Sequence, residues 1–257
     1  MNRAAAIARY TVIRMLRNRV LQVVILFAAG MLAASLLFGA LGGMAQKRLL
    51  LDLGFAAIET FGLVMAVFSG VVLVREEVES RTLALILSRP VRRLEYLAGR
   101  YAGLVIGLGI LLLTLSLIHA GLLAAKGADL DWRHAAVFGL TWLKLAVISS
   151  LALAVSLFAT STESAVTFSL VFWALGHFSQ ELRFLAEKSP TVLARWGILL
   201  VTWITPDLAV FNLRDTWDAV PSPGAASAWL GASVAYAAAY IVAALGAAGF
   251  LFARKEL

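Results

Sequence analysis

Apolar residues run nearly unbroken over 20–42, 55–74, 101–124, 135–159, 165–182 and 226–252. Each run approaches or exceeds the roughly 20 residues that cross a bilayer as a helix, so the pattern predicts six membrane-spanning helices. They form one all-α membrane domain over 1–257, with no composition break between domains and no internal repeat. A further apolar stretch, "WGILLVTWITPDLAVF", is shorter than a span and contains Pro206, which removes a backbone donor and turns its predecessor away from helical geometry. It is expected as a re-entrant or interfacial hairpin within 183–224 that does not cross. "VPSPGAAS" at 220–227 then connects it to the last span.

The polar stretches are patterned too. Before the first run, Ile7, Tyr10, Ile13, Arg14 and Arg17 follow helical spacing, with apolar residues on one side and arginines on much of the rest, which predicts an amphipathic helix over 1–19 along the inner membrane surface. In the 75–100 loop, Val74, Val78, Thr82 and Leu85 recur at three- to four-residue intervals, as do Val91, Leu94, Ala98 and Tyr101. Two short amphipathic helices separated by Pro90 are expected there. Arg89, Arg92 and Arg93 crowd the corner between them. Glu76, Glu77 and Glu79 are placed in the first turn of the first helix, where the helix dipole favours negative charge.

Composition agrees with the pattern: 61% of the 257 residues are hydrophobic and 14% are charged, against roughly 25% charge in an ordinary soluble domain. The net charge of +7 would suggest nucleic acid as partner in a soluble chain. Here the basic residues flank the apolar runs, and they set orientation instead. Thirteen of the 22 basic residues fall in the N-terminal segment, the 75–100 loop and the tail Arg254-Lys255. With six crossings these three regions share one side, expected to be the cytoplasmic face of a bacterial inner membrane, and no nucleic acid partner is called for. Trp132, Trp196, Trp217 and Trp229 fall near the other boundary, where amphipathic rings collect. The first apolar run exceeds the usual 7–15 residues of a signal-peptide core, so it reads as an uncleaved anchor. The chain has no cysteine, which excludes disulfides and thiolate metal sites.

Inside the membrane the notable polar residue is Lys144, about ten residues into the fourth span, where translocon scales put lysine at about +2.5 to +3.5 kcal/mol. Glu59 in the second span is the nearest acid by count, and His119 and His177 fall at comparable depth. Together they form a candidate intramembrane polar site, either a polar vestibule or a structural ion pair. Gly99, Gly103 and Gly107, four apart, lay a flat stripe on the third span that suits close helix packing. No metal-ligand set or catalytic triad is legible.

The segment "EEVESRTLALILSRPVRRLEYLAGR" resembles the loop after the second span in permease subunits of ABC type-2 transporters. Matching positions are Glu76, Glu77, Thr82, Leu83, Leu85, Leu87, Ser88, Pro90, Arg93 and Gly99. Arg81 departs from the usual glycine, and Arg100 replaces the usual lysine. The resemblance extends to the basic N-terminal helix, the six spans, the outer hairpin and the basic tail, and is closest to permeases of copper-enzyme-maturation and gliding systems. It implies a dimer of two such chains and a separate ABC ATPase, two copies of it, on which the loop seats as a coupling helix. Glu76, Glu77, Glu79, Arg81, Thr82, Ser88, Arg89, Pro90, Arg92 and Arg93 would carry that contact. ATP and Mg would belong to the partner, leaving this chain without a cofactor or catalytic role. Consistently, no G-x-x-x-x-G-K-[ST] phosphate loop occurs in it. The output would be export of a substrate or force on an outer periplasmic or lipoprotein component.

A rival reading rests on the same residues. Glu76, Glu77 and Arg81 also satisfy E-E-x-x-x-R, which resembles intramembrane proteases of the prenyl-endopeptidase type. Such a site needs histidines at the depth of the acids. His119 and His177 are expected near the opposite boundary, some 20 Å away at ~1.5 Å per residue.

Overall fold

The computed structural model describes residues 3–17, 19–41, 46–80, 92–125, 131–189, 191–213 and 223–254. Among them the chain is all helical. A lipid-facing backbone has no water to bond, and a helix satisfies its N–H and C=O groups within itself. The elements are α1 (Arg3–Arg17), α2 (Arg19–Leu41), α3 (Gln46–Glu79), α4 (Arg93–Ala125), α5 (Trp132–Phe158), α6 (Thr162–His177), α7 (Ser179–Lys188), α8 (Val192–Ile204) and α9 (Pro223–Arg254), with a 3-10 turn at Leu208–Phe211 between the last two.

Four of these, within α3, α4, α5 and α9, are long and apolar enough to cross a membrane, and the α1–α2 pair, bent by 58°, adds a fifth if it is taken as one span. The expected fifth span, 165–182, is divided. Phe178 leaves helical geometry, and α7 beyond it carries Glu181, Arg183, Glu187 and Lys188, so α6 has only 16 residues. The apolar α8 is shorter still, at 13 residues, and ends at Thr205-Pro206.

The centre of the bundle is α3, α4 and α5, joined by buried Met65, Leu108, Leu111, Leu112, Leu145 and Ile148. Contacts fix the directions: α2 and α3 are antiparallel, with Phe27 stacked on Phe61 at 6.3 Å, whereas α3 and α5 run the same way. Asp131 caps the start of α5, accepting from Trp132 N at 2.6 Å while its own N–H donates to His134 Nδ1 at 3.1 Å. Ser161 and Ser164 close a similar box at the start of α6. In this arrangement α3, α5 and α9 end, and α4 and α6 begin, at one end of the bundle, called here the loop end.

Of the two short amphipathic helices expected between 74 and 101, the described parts belong to long helices, and residues 81–91 lie outside the described residues. Helix α3 continues without interruption to Glu79, and α4 begins at Arg93. At 34 and 33 residues they measure about 50 Å, well beyond the ~30 Å of a hydrocarbon core. Glu76, Glu77 and Glu79 therefore occupy a last turn rather than a first one. Negative charge is disfavoured there by the helix dipole and needs cations nearby.

Helix α1 docks on the glycine stripe of α4, running in the same direction. A Cβ added at Gly99 would stand 2.7 Å from Ala4 O, one at Gly103 2.5 Å from Thr11 Cβ, and one at Gly107 2.7 Å from Met15 Sδ. Backbone atoms of α1 press against two of the three positions, so only glycine permits this approach.

Candidate functional site

At the loop end the cations that the acids need come from three helices. Glu76 pairs with Arg14 of α1 and stays half exposed, at 53%. Its neighbour Glu77 turns inward and is 5% exposed. It accepts from Tyr96 Oη at 2.6 Å, pairs with Arg100, and lies 3.6 Å from Arg14. Arg100, buried beside the glycine stripe, also donates to Thr11 Oγ1 at 2.9 Å and lies over the rings of Tyr10 and Tyr96 at 5.5 and 5.6 Å. Glu79 is exposed and accepts from Arg75 at 2.8 Å. Glu77, expected at the ATPase contact together with Glu76 and Glu79, is turned into the bundle: successive residues on a helix point about 100° apart, and its direction faces α1 and α4.

Arg75 is buried and caps another element. Its guanidinium donates to Ala159 O at 2.8 Å and Thr160 O at 2.9 Å, satisfying carbonyls left open where α5 ends. On α4, Arg92 is exposed, and its backbone N–H donates to Glu95 at 3.1 Å. Arg93 lies over the Phe252 ring at 5.2 Å and bonds the Phe252 carbonyl, fastening the start of α4 to the end of α9. Arg81, Thr82, Ser88, Arg89 and Pro90 lie outside the described residues, as does Trp217.

Lys144 Nζ lies 2.5 Å from Glu59 Oε1, joining α5 to α3; the lysine side chain is 3% exposed and the acid 19%. From Lys144 the helix runs roughly 21 Å to its end at Phe158 and roughly 18 Å back to its start at Trp132, which puts the pair near the middle of α5, well away from the charged loop. His119 is further along. It contacts Leu50 O at 3.3 Å and packs edge-on against Phe55 at 5.1 Å. His177 is not drawn to the pair; it stacks on Trp173 at 5.4 Å. The polar site suggested by the sequence thus reduces to Lys144 and Glu59.

The same geometry removes support from a protease. Glu77 is held by arginines and a tyrosine, and the α4 helix from Arg100 to His119 spans roughly 28 Å. Among the described residues, no group of three or more His, Asp or Glu is placed to hold a metal ion.

One site escaped the sequence reading. Asp207, at the turn after α8, accepts from Ser179 Oγ at 2.6 Å and Ala209 N at 3.2 Å and pairs with Arg183 at 3.0 Å, while its N–H donates to Tyr236 Oη at 2.7 Å. Tyr240 Oη adds a bond to Ile204 O at 2.9 Å. A lone acid inside the apolar "TPDLAVF" was the available signal, since such a group must find donors. Beside this turn an apolar groove of about 590 Å³ opens between α6 and α9, floored by α5 and lined by Phe158, Phe168, Phe172, Ala244, Ala248 and Leu251 among others.

A helical bundle with buried ion pairs, an apolar groove and two overlong helices flanking a charged stretch has the form of a polytopic membrane component. Residues 6–257 match the family model described as "ABC-2 family transporter protein", and the chain belongs to that family. It is a multi-pass transporter membrane subunit, and membership implies association with an ABC ATPase. No curated protein matches it.

Proposed function

We propose that this chain is the permease subunit of an ATP-driven ABC transporter in the bacterial inner membrane, working as a homodimer with two copies of a separate ATPase. Six crossings, by α2, α3, α4, α5, α6 and α9, would leave both termini in the cytoplasm beside the 75–100 loop. The α7–α8 hairpin would sit on the outer side without crossing. ATP and Mg act in the partner. Closure of the ATPase dimer displaces the loop and, through α3 and α4, the membrane bundle. The work done is export of a substrate or force on an outer periplasmic or lipoprotein component.

The observation that carries this reading is the pair of stems. Helices α3 and α4 outlast the hydrocarbon thickness, and at the loop end they hold exposed Glu76, Glu79 and Arg92. Exposed charge of both signs on a rigid lever suits a protein groove better than a lipid surface, which favours cations alone.

Because the chain has no cysteine of its own, Glu79→Cys supplies a single reactive thiol. In cells co-expressing the neighbouring ATPase with one surface cysteine, a crosslink that changes yield between nucleotide-free and ATP-trapped states is expected. Absence of contact with any ATPase would overturn the coupling role.

A further inference from the structure

One turn of α3 holds two different neighbours. Arg75 closes the α5–α6 turn through Ala159 O and Thr160 O. Two residues on, Glu77 faces the other way and gathers Tyr96 and Arg100 of α4 together with Arg14 of α1. Arg100 continues to Thr11 on α1 at 2.9 Å.

The setting of this cluster matters. Helix α1 meets α4 over Gly99, Gly103 and Gly107, with Ile7, Thr11 and Met15 seated on the three glycines in turn. That match sets α1 against α4 by shape, and the polar contacts across it add an ionic tie to the end of α3. The Glu77–Arg100–Thr11 chain of contacts crosses the stripe between Gly99 and Gly103. Any sliding would leave a buried carboxylate and guanidinium without partners, which is costly in a desolvated site.

From this we infer that Glu77 and Arg100 are positioning residues that pin α1 in register on α4, and that Arg75 does the same for the α5–α6 turn. The end of α3 becomes a hub: α1, α4 and the α5–α6 turn follow the charged loop as one body. This rests on the coupling role proposed above and extends it. The N-terminal helix is a working arm of the lever, and the buried acid of the Glu76-Glu77 pair serves within the permease while the exposed one faces its partner.

Spin labels test the pin in the full-length chain co-purified with its ATPase. Ala5 on α1 and Ala98 on α4 are both exposed, and Ala5→Cys with Ala98→Cys gives one distance across the docked pair. In the otherwise unaltered protein that distance is expected to be narrow and unchanged between the nucleotide-free and ATP-vanadate states. Glu77→Gln should make it shift on trapping, because the stems then move without α1; Glu77→Asp should restore the narrow distance. General loosening of the fold would widen both states equally and would persist in Glu77→Asp, and that outcome rejects the pin. Thr11→Val, which removes only the acceptor on α1, should produce the same shift to a smaller extent and covers the case in which Glu77→Gln fails to fold. A shift in the unaltered protein, or a Glu77→Gln distance as constant as the unaltered one, also overturns the inference. Failure of the ATPase to co-purify with the unaltered chain would reject the coupling role alone, since nucleotide-free widths in Glu77→Gln and Thr11→Val still report on register.

Discussion

At the loop end, Glu77 is surrounded by Tyr96, Arg100 and Arg14, drawn from two other helices; near the middle of α5, Lys144 meets Glu59 as its one ionic partner among the described residues. Both are buried ionic contacts, and burying an ion costs several kcal/mol unless its partners are good. The loop-end cluster offsets that cost with many contacts, including aromatic faces over which Arg100 lies. An ammonium has three donors, so the Lys144 contact is thinly satisfied, and Glu59 remains partly open. The comparison separates a structural lock from a contact that can change partner. Many shared partners fix geometry, whereas one partner leaves room for exchange.

The largest effect is expected from Arg100→Met. It leaves Glu77 buried with Tyr96 and the more distant Arg14, and removing one member of a buried pair costs about 3–5 kcal/mol; thermal unfolding in detergent reads it. Adding Glu77→Gln should recover only part, because Thr11 still loses the Arg100 donor and the guanidinium no longer lies over Tyr10 and Tyr96. Full recovery would show that the cluster is a simple pair after all.

Lys144→Met should cost less, about 1–3 kcal/mol for a buried acceptor left unmade, since Glu59 is itself partly open. Combining it with Glu59→Gln should bring stability back near the starting value, in contrast to the loop-end double variant. Complementation of a deletion strain should remain impaired beyond any loss of expression. Normal complementation would reduce the pair to packing.

Asp52→Asn sets the floor. The Arg48–Asp52 contact, 3.8 Å long and exposed on both sides, should contribute no more than about 0–1 kcal/mol. A cost as large as that of Arg100→Met would erase the distinction between buried and exposed contacts on which the comparison stands.

Some of this was readable before any fold was known. The apolar runs located the helices to within a few residues at α2, α5 and α9. The glycine stripe announced a packing face, but nothing in its spacing named α1 as the helix that would cover it. Glu76, Glu77 and Glu79 looked equivalent because they are adjacent and alike. Their separate fates depend on which neighbour each direction meets.

Hydrophobic length and charge asymmetry were enough by themselves to determine a helical membrane bundle with a charged loop on one side, because a chain in lipid has to bond its own backbone and has to leave its ions at the edges. The docking of α1, the inward turn of Glu77, the capping of α5 by Arg75 and the anchoring of Asp207 were decided only in three dimensions. Each joins residues far apart in sequence, and periodicity tells which face a residue occupies without telling what arrives to meet it.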